Sequence, residues 1–301
     1  MSLDRVNQPT LELLLQRPAA LGKVFFVDGT GGLDTQEGTD PAYPLLTMTA
    51  AIAKCTAGKG DIVIVLRNSP SAPPATETFP VALNKAGMLL TGLYSRGLLS
   101  DSGFAADAAD TACLQVGANY VTVENLYLGC SGNSLTGVID GDVAVAYWAF
   151  TVRNCMFNIQ GSSKYGLSGV SGIGPYLLVE DNVFGRDKGT AWFTTAAIAI
   201  LDNATGGIIR RNQVAGGAIG IYIDGRAVGI RILDNDIQMY TDGAGVGITI
   251  SAGSGQGCYI NRNHASFGMG ADGQNPYLDQ HGDDSNTWGL NWAQEAVQLP
   301  A

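Results

Sequence analysis

The sequence predicts an all-β chain wound as a right-handed parallel β-helix (a solenoid), closed at its start by a short N-terminal capping helix. Three observations predict it. A six-residue phrase recurs six times between Val123 and Ala265, with starts 29, 27, 30, 23 and 28 residues apart. A second apolar segment follows each of the first five copies, often ending at a turn signal such as Asp140-Gly141, Asp202-Asn203 or Asp224-Gly225. Glycine is abundant, at 41 of 301 residues, and charged residues make up only 15%, which suits tight corners and closely packed strands. A fixed period in this range marks a solenoid, in which each turn buries its face only against its neighbours.

The copies read VENLYL from Val123, VRNCMF from Val152, VEDNVF from Val179, IRRNQV from Ile209, ILDNDI from Ile232 and INRNHA from Ile260. Their first and sixth positions are apolar throughout, so both are expected to point into a shared core. The fourth position is Asn182, Asn212, Asn235 and Asn263 in the last four copies. Asn side chains stacked one strand spacing apart, roughly 4.8 Å, can bond to one another and to turn backbone. Leu126 and Cys155 hold the slot in the first two copies, so the ladder is expected to begin at the third. About ten coils at this spacing would make a rod about 50 Å long.

Three segments follow in order: an N-terminal arm or cap over 1–22, the β-helix over 23–265, and a C-terminal cap or partner-contact segment over 266–301. PTLELLLQ (9–16) reads as two helical turns ended before Pro18. Its leucines cannot all be buried on one short helix. The segment therefore reads equally as a cap on the first coil or as an arm docked on another subunit. Residues 24–54 give a strand, a polar Gly/Asp loop and a short helix from about Thr47 to Cys55, with Met48, Ala51, Ile52 and Cys55 on one face. Such a helix can plug the open end of the coil. Asp28, Asp34, Glu37 and Asp40 lie in that loop, but their spacing is not that of a calcium-binding EF-hand, and they read as turn formers. The Pro-rich stretch 69–76 and residues 100–110 read as loops bulging from the stack. NWAQEAVQ (291–298) reads as a short helix.

The opening VDGTGG…GTDPAYPLLTMTAAIA, with DIVIVL (61–66), AGMLLTGL (86–93) and NYVTVENLYLG (119–129), resembles the pectate-lyase-like superfamily of right-handed β-helices. The likeness spans roughly residues 24–265. That superfamily includes polysaccharide lyases, glycoside hydrolases and bacteriophage tailspikes, so the resemblance speaks to fold more than to activity.

Insertions in solenoids tend to cluster on one face and build the working surface. Those at 141–149 and 185–195 carry Tyr147 and Trp148, then Trp192 and Phe193. All four are expected to be exposed, to stack on sugar rings or to pack against a neighbouring subunit. No Ser/His/Asp set is legible, because the two histidines, His264 and His281, lie near no nucleophile-elbow pattern. Cys and His never cluster, so no metal or other cofactor is expected. A lyase of this superfamily would use an Arg or Lys base beside calcium-binding carboxylates. Glu124, Arg153, Glu180, Arg210 and Arg211 stand at outward positions, yet opposite charges on adjacent coils more simply pair across the stack. A hydrolase needs two carboxylates about 5–10 Å apart, one with a raised pKa. Asp202 and Asp224 end equivalent strands on successive coils and are the candidates if there is an activity; Asp140 ends its strand two coils earlier. Asp-Gly and Asp-Asn also form turns without any chemistry.

The net charge of −10 disfavours nucleic acid, an anionic membrane and acidic polysaccharides, whose binding needs clustered Lys and Arg. No apolar run is long enough to span a bilayer, and no basic region precedes a long apolar run as in a secretory signal. Five cysteines, an odd number with no CxxC, read as buried free thiols of a chain folded in a reducing cytosol. With no convincing catalytic set, the likeness to tailspikes implies a non-enzymatic bacteriophage virion protein, either a capsid decoration or a spike or fibre component. It would be assembled in the host cytoplasm as a side-by-side homotrimer contacting capsid or tail proteins. The alternative is a carbohydrate-active β-helix, a polysaccharide hydrolase or lyase, or a module that binds surface glycans.

Overall fold

The computed structural model describes residues 22–67, 74–93, 103–106, 111–130, 137–141, 147–157, 163–169, 175–185, 193–201, 204–238, 245–253, 255–266, 276–281, 285–293 and 296–298. Among them, the strands form three sheets of ten, nine and eight strands. Successive coils supply neighbouring strands in parallel, and the three sheets enclose one core as a right-handed parallel β-helix.

The recurring phrase is in register. In the ten-stranded sheet Phe25, Val63, Leu90, Val123, Val152, Val179, Ile209, Ile232, Ile260 and Trp288 form one column of successive Cα partners. All but Trp288 are buried. The sixth positions form a second column in the nine-stranded sheet: Leu128, Phe157, Phe184, Val214, Ile237, Ala265 and Ala293. Between the two columns the chain turns at the third position of the phrase. There Asn125, Asn154, Asp181, Arg211, Asp234 and Arg262 all adopt φ between 52 and 57°. Asn and Asp tolerate this left-handed conformation well, and the corner imposes it on the arginines.

The corner is held by an asparagine ladder. Oδ1 of Asn212 accepts both the backbone N–H and the side-chain N–H of Asn182, at 3.1 and 3.0 Å. The same pair of hydrogen bonds links Asn212 to Asn235, Asn235 to Asn263, and Asn263 to Asn291. Each Nδ2 also donates to a backbone carbonyl of the coil before it, from Val152 through Ile260. The ladder starts at the third copy, where Asn182 Oδ1 accepts the Cys155 N–H.

The segment 291–298 is not helical. Asn291–Ala293 continues the nine-stranded sheet and then pairs antiparallel with Ala296–Gln298. Trp288, Asn291 and Ala293 repeat the phrase a seventh time, 28 residues after Ile260. The buried ladder bonds of Asn291 outweigh the weak local helix propensity. At the other end, the helix Met48–Lys54 is capped by Thr47 Oγ1, which accepts the Ala50 N–H. The Glu77 carboxylate accepts the Met48 and Thr49 N–H groups. Met48, Ala51 and Ile52 are buried against the first coil. Asp28 and Asp40 accept backbone N–H groups two or three residues on, as turn formers do, whereas Asp34 reaches across the loop to the Leu46 and Thr47 N–H groups and the Thr47 hydroxyl. Residues 9–16 lie outside the described residues. Cys55, Cys113, Cys155 and Cys258 are buried free thiols, and burial pushes Cys55 and Cys155 up to about 12.

Candidate functional site

The inner column of the eight-stranded sheet is Ile139, Leu167, Ile198, Ile221 and Ile248, all in the core. Strand side chains alternate between faces, so the residues that follow them face outward. These are Asp140, Ser168, Ala199, Tyr222 and Thr249, again successive partners. Two neighbouring outward rows flank them. One is Tyr165, Ala196, Ile219 and Val246. The other is Leu201, Asp224 and Ser251, each following the last paired residue of its strand. Tyr165, Ala196 and Ala199 are buried together with Leu201, Ile219 and Tyr222 packed on them. The two alanines thus make a low apolar floor between two tyrosines.

Polar groups border that floor. Asp224 accepts bonds from the Ser251 hydroxyl at 2.5 Å, the Gly225 N–H at 2.9 Å and the Tyr222 hydroxyl at 3.2 Å. Asp140, Ser168 and Thr249 are buried, whereas Tyr222, Asp224 and Ser251 are half-buried and form the open edge. Ser168 Oγ and Thr249 Oγ1 are buried with no hydrogen-bond partner among the described residues. Burial pushes the Asp140 carboxyl up to about 6, against the opposing effects of the nearby Ser168 hydroxyl and the Gly141 N–H. Ser168 is thus close enough to soften the shift without the alignment of a hydrogen bond. Burial, then the charges of Asp224 and Asp140, raises Tyr165. Burial and Asp224 likewise raise Tyr222.

The Asp140 shift makes a stability prediction. Its folded value lies above the unfolded one of about 3.9. Between the two values the folded state holds the extra proton, so stability falls as pH rises through this window. Asp140→Asn removes that loss while keeping an acceptor for the Gly141 N–H. Above about pH 7 the variant is expected to be more stable by up to about 3 kcal/mol, a gain that vanishes below about pH 4. Urea midpoints measured at both ends of the range check it.

Not every expected site residue is here. Asp224 is part of the face. Leu201 stands level with it, and Asp202 lies outside the described residues, as does Trp192. Tyr147 is half-buried against the core, and Trp148 is exposed. Phe193, expected on the surface, is instead fully buried. It opens the strand Phe193–Ile200 facing inward, edge-on to Phe184 at 6.3 Å. Glycines make room for it: a Cβ on Gly166 would come within 2.9 Å of its ring. Tyr165, Ser168, Tyr222, Thr249 and Ser251 escaped sequence reasoning. The one available signal was a hydroxyl or phenol at alternate positions of otherwise apolar strands such as YGLSG and AIGIYI.

The charged residues of the corner pair with one another. Arg153 meets Glu124 at 2.6 Å, Arg210 meets Glu180 at 2.7 Å, Arg211 meets Glu180 and Asp181, and Arg262 meets Asp234. The Arg262 hydrogen bonds hold Asp234 below the usual carboxylate range. His264 Nδ1 faces Asp236 at 3.0 Å. Among the described residues, no three His, Cys, Asp or Glu side chains are grouped to hold a metal. Among the same residues, no helix is long and apolar enough to cross a membrane.

No protein-family model matches the sequence, and no curated protein matches it significantly. Among solved structures, this chain is similar to a pectin methylesterase in complex with a hexasaccharide, at 9% identity over 91% of this chain and 90% of that one, with a TM-score of 0.47. It is also similar to the GH136 lacto-N-biosidase from Eubacterium ramulus, at 12% identity over 95% of this chain and 69% of that one, with a TM-score of 0.33.

Proposed function

We propose that this protein binds a neutral glycan on the outer face of its eight-stranded sheet. The observation that carries the reading is a half-exposed Tyr222–Asp224–Ser251 trio beside the buried Thr249 hydroxyl, which lacks a partner. A buried hydroxyl without a hydrogen bond costs about 1–3 kcal/mol, a cost that a ligand hydroxyl can offset. Sugars supply what is missing, because each hydroxyl both donates and accepts and the ring presents C–H groups to a tyrosine face. A chain would enter at the Tyr222 edge, and its hydroxyls would reach Thr249 as the face opens. Asp224, already bonded by three donors, stays an acceptor. The acidic surroundings and the net charge of −10 disfavour an anionic ligand.

Two-carboxylate hydrolysis by Asp140 and Asp224 fits the register poorly. Their strands are three spacings apart, roughly 14 Å along the axis, whereas the two carboxyls of a glycosidase stand about 5–10 Å apart. Asp202, the candidate partner of Asp224 on the adjacent coil, lies outside the described residues, so binding is the reading that the described face supports.

Thr249→Val separates binding from folding. It removes an unpartnered hydroxyl, so thermal stability is expected to hold or rise by about 1 kcal/mol. Affinity for a neutral oligosaccharide, measured by calorimetry, is expected to fall about tenfold. Unchanged affinity in both Thr249→Val and Asp224→Asn would sink the proposal.

A second reading, a structural virion component assembling as a side-by-side trimer, is favoured by another feature. On the outer face of the ten-stranded sheet, Val24, Leu66, Leu89 and Leu93 are only partly buried around Phe26, Ile62 and Ile64. A neighbouring subunit could cover that apolar patch. Sedimentation at micromolar concentration tests it: a trimer is expected, and a monodisperse monomer contradicts it.

A further inference from the structure

A second surface lies at the corner where each coil enters the ten-stranded sheet. One residue per coil there adopts a left-handed conformation: Gly87, Tyr120, Ala149, Tyr176, Gly206 and Gly229 in successive coils. The backbone hydrogen bonds between coils run through them, for example Tyr120 N–H to Trp148 O and Tyr176 N–H to Thr205 O. Glycine is the unstrained choice at such a position. Tyr120 and Tyr176 hold it at φ 58 and 64°, and a bulky side chain there is a backbone outlier.

The strain gains little packing. Tyr120 is 59% exposed and Tyr176 is 61% exposed. Trp148, the residue before Ala149 in the intervening coil, is 49% exposed. Its ring stands edge-on to Tyr176 with centroids 6.4 Å apart, and its backbone N–H donates to Asn119 Oδ1 at 2.9 Å. The Tyr176 ring reaches over Gly206 of the next coil, where a Cβ would meet it at 3.4 Å. Three large rings thus line one ridge over three adjacent coils, about 10 Å along the axis.

We propose that Tyr120, Trp148 and Tyr176 form a stacking rail for a neutral oligosaccharide running along the helix axis. Three features select this occupant. The described corner residues, 119–120, 147–149, 175–176 and 205–207, include no charged side chain, so the ridge offers nothing to an anion or a cation. Its length is about that of a disaccharide unit, and rings repeated along a straight ridge suit a repeating chain of flat sugar faces. A protein partner needs about 800 Å² from each side, more than three partly covered rings on a narrow ridge can supply. The rail shares its ligand class with the sheet face but stands on different residues.

Intrinsic tryptophan emission, titrated with cellohexaose, xylohexaose, chitohexaose and laminarihexaose, tests it. At least one of them is expected to give a saturable change. That affinity, measured by calorimetry in every variant, is expected to fall about tenfold or more in Trp148→Ala and in the double variant Tyr120→Gly with Tyr176→Gly. The glycine variant relieves the backbone, so its melting temperature is expected to hold or rise; a fall would mean that the rings serve the fold, and would overturn the rail. No response to any of the four sugars, or wild-type affinity in both rail variants, would also overturn it. Loss in Thr249→Val alone leaves the sheet-face reading standing without the rail, and loss in the rail variants alone does the reverse.

Discussion

Asn212→Ala is expected to destabilise the protein by about 3–5 kcal/mol, among the largest losses available to a single polar substitution in this chain. Asn212 sits in the middle of the ladder and is buried. Its Oδ1 accepts two bonds from Asn182, and its Nδ2 donates to Val179 O and to Asn235 Oδ1. Truncation orphans the Asn182 backbone N–H and one proton of the Asn182 side chain, and takes one donor from the Val179 carbonyl. Each orphan costs about 1–3 kcal/mol when buried, and partial relaxation keeps the sum below the simple total. Urea titration should show a lower midpoint with an unchanged slope. A loss under about 1 kcal/mol would mean that the ladder follows from the coil without holding it.

Phe184→Ala is expected to cost a similar 3–5 kcal/mol by a different route. Phe184 stacks on Phe157 with centroids 4.2 Å apart and 12° between planes, and Phe193 packs edge-on against it. All three are fully buried. A Cβ on Gly166 would come within 2.8 Å of the Phe184 ring, so little slack exists nearby. Truncation loses both the transfer energy and the ring contacts, and the strands on either side are tied in register and cannot close the gap. Phe184→Leu keeps most of the volume and should cost clearly less than the alanine variant. Equal costs for the two would contradict a cavity mechanism.

The parts of this molecule that repeat could be read from sequence, and the parts that occur once mostly could not. Val123, Val152, Val179, Ile209, Ile232 and Ile260 align because one phrase must present the same inward residue every coil, and a slip of one position would turn it outward. The Asn column was legible for the same reason, yet Asn291 was missed. Its copy opens on Trp288 in place of an aliphatic residue, and it follows a stretch with weak periodicity. Phe193 failed as a surface residue because it sits beside an insertion but begins a strand, and the glycines that admit it belong to other coils. The face formed by Asp140, Ser168, Tyr222 and Thr249 draws single residues from strands 28 or so positions apart. No local pattern reports such a set. Asp224 was legible as a candidate carboxylate at a strand-ending turn, whereas its partner Ser251 becomes visible once the register of the two strands is fixed.

The most direct test of glycan binding at this face is a crystal structure of the protein with the neutral hexasaccharide that binds most tightly. Binding as proposed places a sugar ring against Tyr222, with sugar hydroxyls within hydrogen-bond distance of Asp224 and of Thr249 Oγ1. A sugar seated elsewhere on the rod, with Thr249 Oγ1 still lacking a partner, would contradict it.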